Sequence, residues 1–375
     1  MIGDRTLARH PAAATQAWPA RPGRVLLLAP SSGLGGGIER YLDGVQQALL
    51  ARGAVCQRLD LSRPGLAGHA GLLARGRAAL RSGSGPTRLI LGHRALLPVA
   101  AMLARDPSVL GMSVLVHGSE VWSPQSWPRA RVERWLMRRP GVRMVAVSGF
   151  TAGTLIYRQP AAVLAPALPA RWFEILATAR AEAASARALA GTTGQVRVVT
   201  AFRLADWRGK GLPELVAAIA ALGRADVRLR VCGSGKPPPG LLALTRRHPW
   251  CVLRPGLADG DLAAELAAAD LFVLATRTRS GRRPCGEGFG LVLIEAQVAG
   301  TPVVAPAYGG SHDAYLEGAT GTAPPDESAT ALAQALRWML ADPVRLAAMG
   351  SRAAEWAGAA FGPDGYPDQV ARKLL

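Results

Sequence analysis

A chain of 375 residues with 49% hydrophobic and 19% charged side chains has apolar material for more than one ordinary core, which excludes wholesale disorder and fibrous repeats and predicts two domains around a cleft. No apolar run reaches the roughly 18 residues that cross a bilayer, and residues 1–22 lack the apolar stretch of a secretory leader, so neither a membrane helix nor a signal is predicted. The 44 basic against 26 acidic residues give a formal charge of +18, which favours an anionic partner such as nucleic acid, a membrane surface or a phosphorylated substrate. The only lysines are Lys210, Lys236 and Lys373, so an arginine-rich composition accounts for the charge at least as well. Cys56, Cys232, Cys251 and Cys285 are far apart with no CxxC pair, which suggests neither zinc nor disulfides and fits a reducing, cytoplasmic setting.

The first apolar run, RVLLLAP at 24–30, leads through the loop SSGLGGG into IERYLDGVQQALLARG, whose apolar positions have helical spacing. Gly35, Gly36 and Gly37 in that loop allow backbone amides to approach a ligand, and the helix start behind them attracts anions. Ile38 stands where a dinucleotide-binding GxGxxG needs glycine, so NAD binding is disfavoured, and a tight turn with no ligand has the same signature. Further runs, RLILG (88–92), SVLVHG (113–118) and VRMVAVS (142–148), alternate with helical stretches as in a parallel sheet covered on both faces. His117 directly follows one of these strands, where it can face a cleft and hydrogen-bond a sugar hydroxyl or serve the structure alone. Between 128 and 143, Val132, Trp135 and Leu136 share one face while Arg131, Arg134 and Arg138 lie away from it. This pattern predicts a helix packed on its own sheet, with a basic membrane-surface helix including Arg139 as the alternative.

Around 160–195 a proline-punctuated linker and an Ala-rich lead-in helix are expected, after which strands restart at 195–202, 229–233, 251–256, 270–276 and 301–306. Arg203 follows the first of these and Lys210 lies in WRGKG ahead of a helix. Two cations closing on one loop suit a diphosphate, although charged loops are also often simply solvated. Asp259 and Asp261 form an Asp-x-Asp that is better read as a helix N-cap than as a metal site. The most specific element is CGEGFGLVLIEAQ: Glu287 precedes Gly288, Phe289, Gly290 and Leu291, and Glu295 follows in the helix that this loop opens. Counted along a helix, the two carboxylates are about 12 Å apart, so one can take sugar hydroxyls and the other ribose hydroxyls, with the amides of Gly288 to Leu291 on the phosphates.

Taken together, GGGIERYLDGVQQALLARG, VLVHGSE, VAVSGFT, FRLADWRGKGLPELVAAI, the segment from ADLFVLAT to TPVVA and GGSHDAYLEGATG resemble a retaining nucleotide-sugar glycosyltransferase of GT-B architecture, family 4. The resemblance implies two doubly wound, Rossmann-like α/β domains facing a cleft, with the last helix crossing back to the N-terminal domain. The domain organisation expected is a lead segment at 1–22, an acceptor domain at 23–165, a linker at 166–195, a nucleotide-sugar domain at 196–358 and the crossing helix at 359–375. It also implies Glu287 at the donor sugar, Glu295 at the ribose, Arg203 and Lys210 at the diphosphate, His117 at the transferring sugar and glycines 35–37 at the acceptor or phosphate edge. Transfer of a hexosyl-type sugar from a UDP or GDP donor to a hydroxyl of an acceptor such as a natural-product aglycone, glycolipid or polysaccharide, retention of configuration, no required metal and no nucleic-acid partner complete the expectation; a catalytically silent nucleotide-sugar- or glycan-binding protein of the same fold is the alternative, and peripheral contact with an anionic membrane at its inner face is left open. The chain departs from the family pattern in having Pro166-Ala167-Leu168 where relatives have Pro-Asn-Gly, and in a longer Arg203 to Lys210 gap that makes Arg208 a competing phosphate ligand.

Overall fold

The computed structural model describes residues 23–31, 36–122, 131, 133, 135–139, 141–155, 161–190, 194–279 and 285–375. In the first half β1 (Arg24–Ala29), β2 (Val55–Asp60), β3 (Thr87–Leu91), β4 (Val109–Val116), β5 (Val142–Ala146) and β6 (Ala161–Val163) form one parallel sheet in the order β2-β1-β3-β4-β5-β6. Between them run α1 (Gly37–Ala51), α2 (Gly65–Arg81), α3 (Leu97–Leu103), α4 (Ser119–Trp122) and α5 (Gly149–Leu155). The 180° alternation of strand side chains divides β1 cleanly: Val25 and Leu27 enter one core with Tyr41 and Leu42 of α1, while Leu26 and Leu28 enter the other with Leu89 and Leu91.

A second chain reversal builds the other sheet. Helix α6 (Ala170–Ala190) leads into β7 (Val196–Ala201), α7 (Leu212–Ala220), β8 (Val227–Gly233), α8 (Pro239–Arg247), β9 (Cys251–Pro255), α9 (Asp259–Ala267), β10 (Leu271–Val273), α10 (Leu291–Val298), β11 (Val303–Val304) and β12 (Gly321–Thr322). The strands are again parallel, in the order β12-β11-β10-β7-β8-β9, with Val198 in register with Leu229 on one side and Leu271 on the other. Both sheets are therefore doubly wound, as the alternating apolar runs imply. Helix α6 starts earlier than its Ala-rich portion suggests, because Trp172 and Leu176 of its first turns are buried in the core between the sheets.

The tail carries α11 (Ala329–Leu340), α12 (Pro343–Phe361) and α13 (Tyr366–Leu374). Gly362 and Pro363 end α12, since proline has neither the N–H nor the space to continue a helix. The chain then crosses back to the first sheet. Arg52, the residue that caps the end of α1, pairs with Asp368 at 2.9 Å, and Ser113 Oγ of β4 donates to the Leu374 carbonyl at 2.9 Å. Lys373 caps the Val163 carbonyl of β6. Tyr366, Val370 and Leu374 are buried in the same core as β1 and β10, so one apolar cluster runs through both halves.

The segment at 131–139 differs from its expected orientation. Glu133, Leu136 and Met137 face inward, while Trp135 is 61% exposed with Arg139 stacked on its ring at 5.0 Å. Positions i, i+3 and i+4 share a helix face, and here that face starts from Glu133, whose carboxylate is drawn in by the buried Arg94 at 2.7 Å. Arg138 and Arg139 are exposed; Val132 and Arg134 lie outside the described residues. The Asp-x-Asp is not an N-cap either: Ala258 occupies that position and Asp259 opens α9.

Candidate functional site

Ligands of doubly wound sheets bind beyond the carboxyl ends of the strands, where neighbouring connections leave in opposite directions. In the second sheet that point lies between β7 and β10, whose following loops carry Arg203 to Lys210 and Thr276 to Gly290. Those loops are joined by charge: Lys210 Nζ donates to Glu287 Oε2 at 2.8 Å, and Thr276 Oγ1 donates to the same oxygen at 3.1 Å. The pair is only partly covered, with 26% of the lysine and 16% of the glutamate side chain exposed. An ammonium has three donors and a carboxylate two acceptor oxygens, so both partners keep capacity for a ligand.

The helix behind this pair begins later than the glycines suggest. Gly290 is its N-cap, with φ +89, and Leu291 its first residue, so Glu287 stands in the loop and not on the helix. The left-handed conformation that turns the loop into the helix is one that a side chain resists. Phe289 is turned into the core against Phe361, with ring centroids 5.7 Å apart, so only its backbone borders the cleft.

Across the cleft the switch point of the first sheet lies between β1 and β3. Gly37, the first residue of α1, lies so close to Leu291, the first of α10, that an added Cβ would stand 3.5 Å from Leu291 Cδ1. Two helix N-termini, each with unspent amides and a positive dipole end, therefore converge. Gly36 is beside Arg203: a Cβ there would be 3.5 Å from Arg203 Nη2. Arg203 is otherwise half-exposed, 3.8 Å from Asp206. Gly35 lies outside the described residues.

His117 directly follows β4 on the same rim. Its Nε2–H donates to the Gly92 carbonyl at 2.7 Å, its ring stacks on His93 at 5.9 Å, and its backbone amide donates to Glu120. With Nε2 committed as donor, Nδ1 is the acceptor of the neutral ring. The His117 carbonyl abuts Gly288 so tightly that a Cβ on Gly288 would stand 1.6 Å from it. The two rims are thus in backbone contact. They are also tied by Asp313, whose carboxylate accepts from the Gly149 amide at 2.6 Å, and by Trp122, whose ring lies where a Cβ on Gly286 would come within 2.5 Å.

Glu295 is a buried carboxylate, 4% exposed. Its Oε1 accepts from Arg40 Nη1 of α1 at 2.5 Å, while Nη2 of the same arginine reaches Asp259 at 3.4 Å. The carboxylate charge of Glu295 holds the Arg40 guanidinium above its usual value. Arg208 is turned elsewhere, over the Trp207 ring at 4.1 Å and against Gly240 of α8.

The structure thus brings Lys210, Glu287, Gly288, Leu291, Gly37, Gly36, Arg203 and His117 to one cleft, with Glu295 beneath Arg40 and Arg208 on the flank towards α8. Sequence reasoning missed Thr276, Arg40, Trp122 and Asp313. Thr276 could have been found as a hydroxyl just past a strand, and Arg40 as a cation one turn into the helix after the glycines.

Residues 195–342 match the family model described as "Glycosyl transferases group 1". Over 278 residues, 71% of this chain and 70% of the relative, the chain is 31% identical to the GDP-mannose-dependent alpha-(1-6)-phosphatidylinositol monomannoside mannosyltransferase of Mycolicibacterium smegmatis. A shorter stretch of 110 residues, 27% of this chain and 23% of the relative, is 41% identical to the D-inositol 3-phosphate glycosyltransferase of Kineococcus radiotolerans. Among solved structures, Anabaena Alr3699/HepE in complex with UDP and glucose superposes with a TM-score of 0.71 over 93% of this chain and 98% of that one, at 20% identity. The long match at this identity, the family model over the second sheet and the shared two-sheet architecture agree: the chain belongs to glycosyltransferase family 4, the group 1 enzymes of GT-B fold, and is a glycosyltransferase that uses a nucleotide sugar.

Proposed function

We propose that this chain transfers a hexosyl group, with mannosyl from GDP-mannose as the leading candidate, to a hydroxyl of a glycolipid, with retention of configuration. The observation that carries the reading is the convergence of the α1 and α10 N-termini beside the Lys210–Glu287 pair. A diphosphate meets two helix dipoles and the cations Lys210 and Arg203 there, and the charge that develops on the leaving group is the charge such a site is built to stabilise. Glu287, which already spends Oε2 on Lys210 and Thr276, offers Oε1 to the donor sugar, and Glu295 takes the ribose. His117 meets the sugar from the opposite rim, through Nδ1. In this reading departure of the diphosphate is assisted by protein cations without a required metal, and the acceptor attacks from the face that the leaving group vacates.

The Mycolicibacterium smegmatis relative is a GDP-mannose-dependent phosphatidylinositol monomannoside mannosyltransferase, which points to GDP-mannose and a phosphatidylinositol-linked acceptor. The outward Trp135 with its stacked Arg139 favours a lipid-borne acceptor over a soluble one, because an aromatic ring among exposed arginines suits an anionic headgroup layer. Incubating the protein with GDP-mannose and phosphatidylinositol mannoside vesicles, with and without a chelator, tests the proposal. An α-linked mannosyl product formed equally in both is expected. A β-linked product would overturn retention, turnover only with added metal would overturn the cation assignment, and transfer from UDP-glucose alone would overturn the donor.

A further inference from the structure

We infer that Arg40 is a positioning residue of the donor site: from the N-terminal domain it holds the Glu295 carboxylate so that its remaining lone pairs accept the ribose hydroxyls of the nucleoside diphosphate. The inference deepens the proposed function and rests on its placing of the ribose at Glu295.

The geometry separates what holds Arg40 from what Arg40 holds. Its guanidinium lies 4.8 Å from the Trp172 ring of α6 and reaches Asp259 of α9 at 3.4 Å. These two contacts, a cation over an aromatic face and an ion pair, fix the fork independently of Glu295. The remaining arm, Nη1, is then aimed at Glu295 Oε1 at 2.5 Å. An ionised carboxylate has about four lone-pair sites, so one arginine donor fixes the group and leaves room for two hydroxyls. Without that donor a carboxylate only 4% exposed is a buried charge with no compensation, which takes up a proton or turns away. The charge of Glu295 likewise keeps Arg40 protonated beyond its usual range. Lysine at this position keeps the charge but loses the fork that serves Asp259 and Glu295 together. Because Arg40 belongs to α1 and Glu295 to α10, the ribose carboxylate is complete only while the two domains are together. Recognition of the nucleoside and closure of the cleft are in this way the same event.

The test is calorimetric titration of GDP and of 2′,3′-dideoxy-GDP into the wild-type chain, Arg40→Met, Arg40→Lys and Glu295→Gln, with thermal melting to check the fold. In the wild type, loss of the two hydroxyls weakens binding about tenfold, the worth of a charged hydrogen bond. Arg40→Met is expected to weaken GDP by about the same factor while leaving dideoxy-GDP nearly unchanged, so that the penalty for losing the hydroxyls falls below about twofold. Arg40→Lys falls between, and carries the test if the methionine variant does not fold. Equal weakening of both nucleotides would overturn the inference, since Arg40 would then act on the fold or the phosphates; unchanged or tighter GDP binding would overturn it by showing that Arg40 covers the carboxylate instead of presenting it. In either case the wild-type penalty and its loss in Glu295→Gln would stand, leaving the ribose assignment intact. A wild type that does not distinguish the two nucleotides, or a Glu295→Gln that still does, would overturn that assignment and the role of Arg40 with it.

Discussion

The two rims of the cleft are held in opposite ways. On the N-terminal side the hydrogen bonds that hold the His117 loop come from its own domain: Nε2 to the Gly92 carbonyl, the amide to Glu120, and beneath them Arg94, which donates to the Glu120 carbonyl and pairs with Glu133. Arg94 and Glu133 are 2% and 5% exposed, so this rim rests on a buried ion pair that has no access to a ligand. On the C-terminal side the charges are partly open and satisfy one another, Lys210 with Glu287 and Arg203 with Asp206. Pairs of that kind exchange partners with an anion or a hydroxyl at little cost. Under the proposed function, the difference makes one rim a template and the other a binding surface, with orientation falling to the N-terminal half and donor affinity to the C-terminal half.

Breaking the template has the largest expected effect. Arg94→Met takes the guanidinium away from the buried Glu133 carboxylate, and a loss of about 3–5 kcal/mol is expected, measured by urea unfolding; a loss below about 1 kcal/mol would mean that other groups carry the Glu133 charge. Gly288→Ala attacks the contact between the rims. A Cβ there collides with the His117 carbonyl, so the rims must part, and kcat/KM is expected to fall about a hundredfold, the price of roughly 1 Å of misplacement. Each sheet also has one apolar cluster of its own, so both halves should stay folded and circular dichroism should not change. His117→Ala removes the sugar contact proposed for this rim: kcat should drop roughly tenfold to a hundredfold while GDP affinity stays within about twofold. Equal losses in both would make this histidine a structural one.

The smallest effect concerns the outer surface of the template. Replacing Trp135 by Ala and Arg138 and Arg139 by Gln should weaken sedimentation with anionic vesicles by about 1 kcal/mol per charge, and salt should abolish the binding as screening shortens the field. Vesicle binding that ignores these changes would return the charge of +18 to composition.

How much of this was visible in the sequence follows the same division. The C-terminal site is carried by local motifs, since Lys210 sits in its loop and Glu287 and Glu295 flank one helix start, and spacing along the chain fixes their arrangement. The strands buried on both faces were equally legible as unbroken apolar runs. Strand β2 was not: it is an edge strand with Val55 66% exposed and polar residues between the apolar ones, and β12 is two residues long and opens with glycine. Trp135 was assigned inward because an aromatic beside Leu136 fits an apolar face; which face is buried was decided instead by Glu133 meeting Arg94, 39 positions away. The link between Arg40 and Glu295 spans 255 positions, and no pattern within one segment reports it. Local chemistry was readable, and pairings made by the crossing of the two domains were not.

The central claim, that one ion pair divides the donor between its partners, is tested most directly by calorimetry of GDP and GDP-mannose with Lys210→Met and Glu287→Gln. Lys210→Met should weaken both ligands alike, by about 1.5–3 kcal/mol, the value of a charged hydrogen bond to phosphate. Glu287→Gln should leave GDP within about twofold and remove most of whatever extra affinity the mannosyl group supplies. Unchanged GDP binding in Lys210→Met, or a Glu287→Gln that weakens GDP as much as GDP-mannose, would contradict the account.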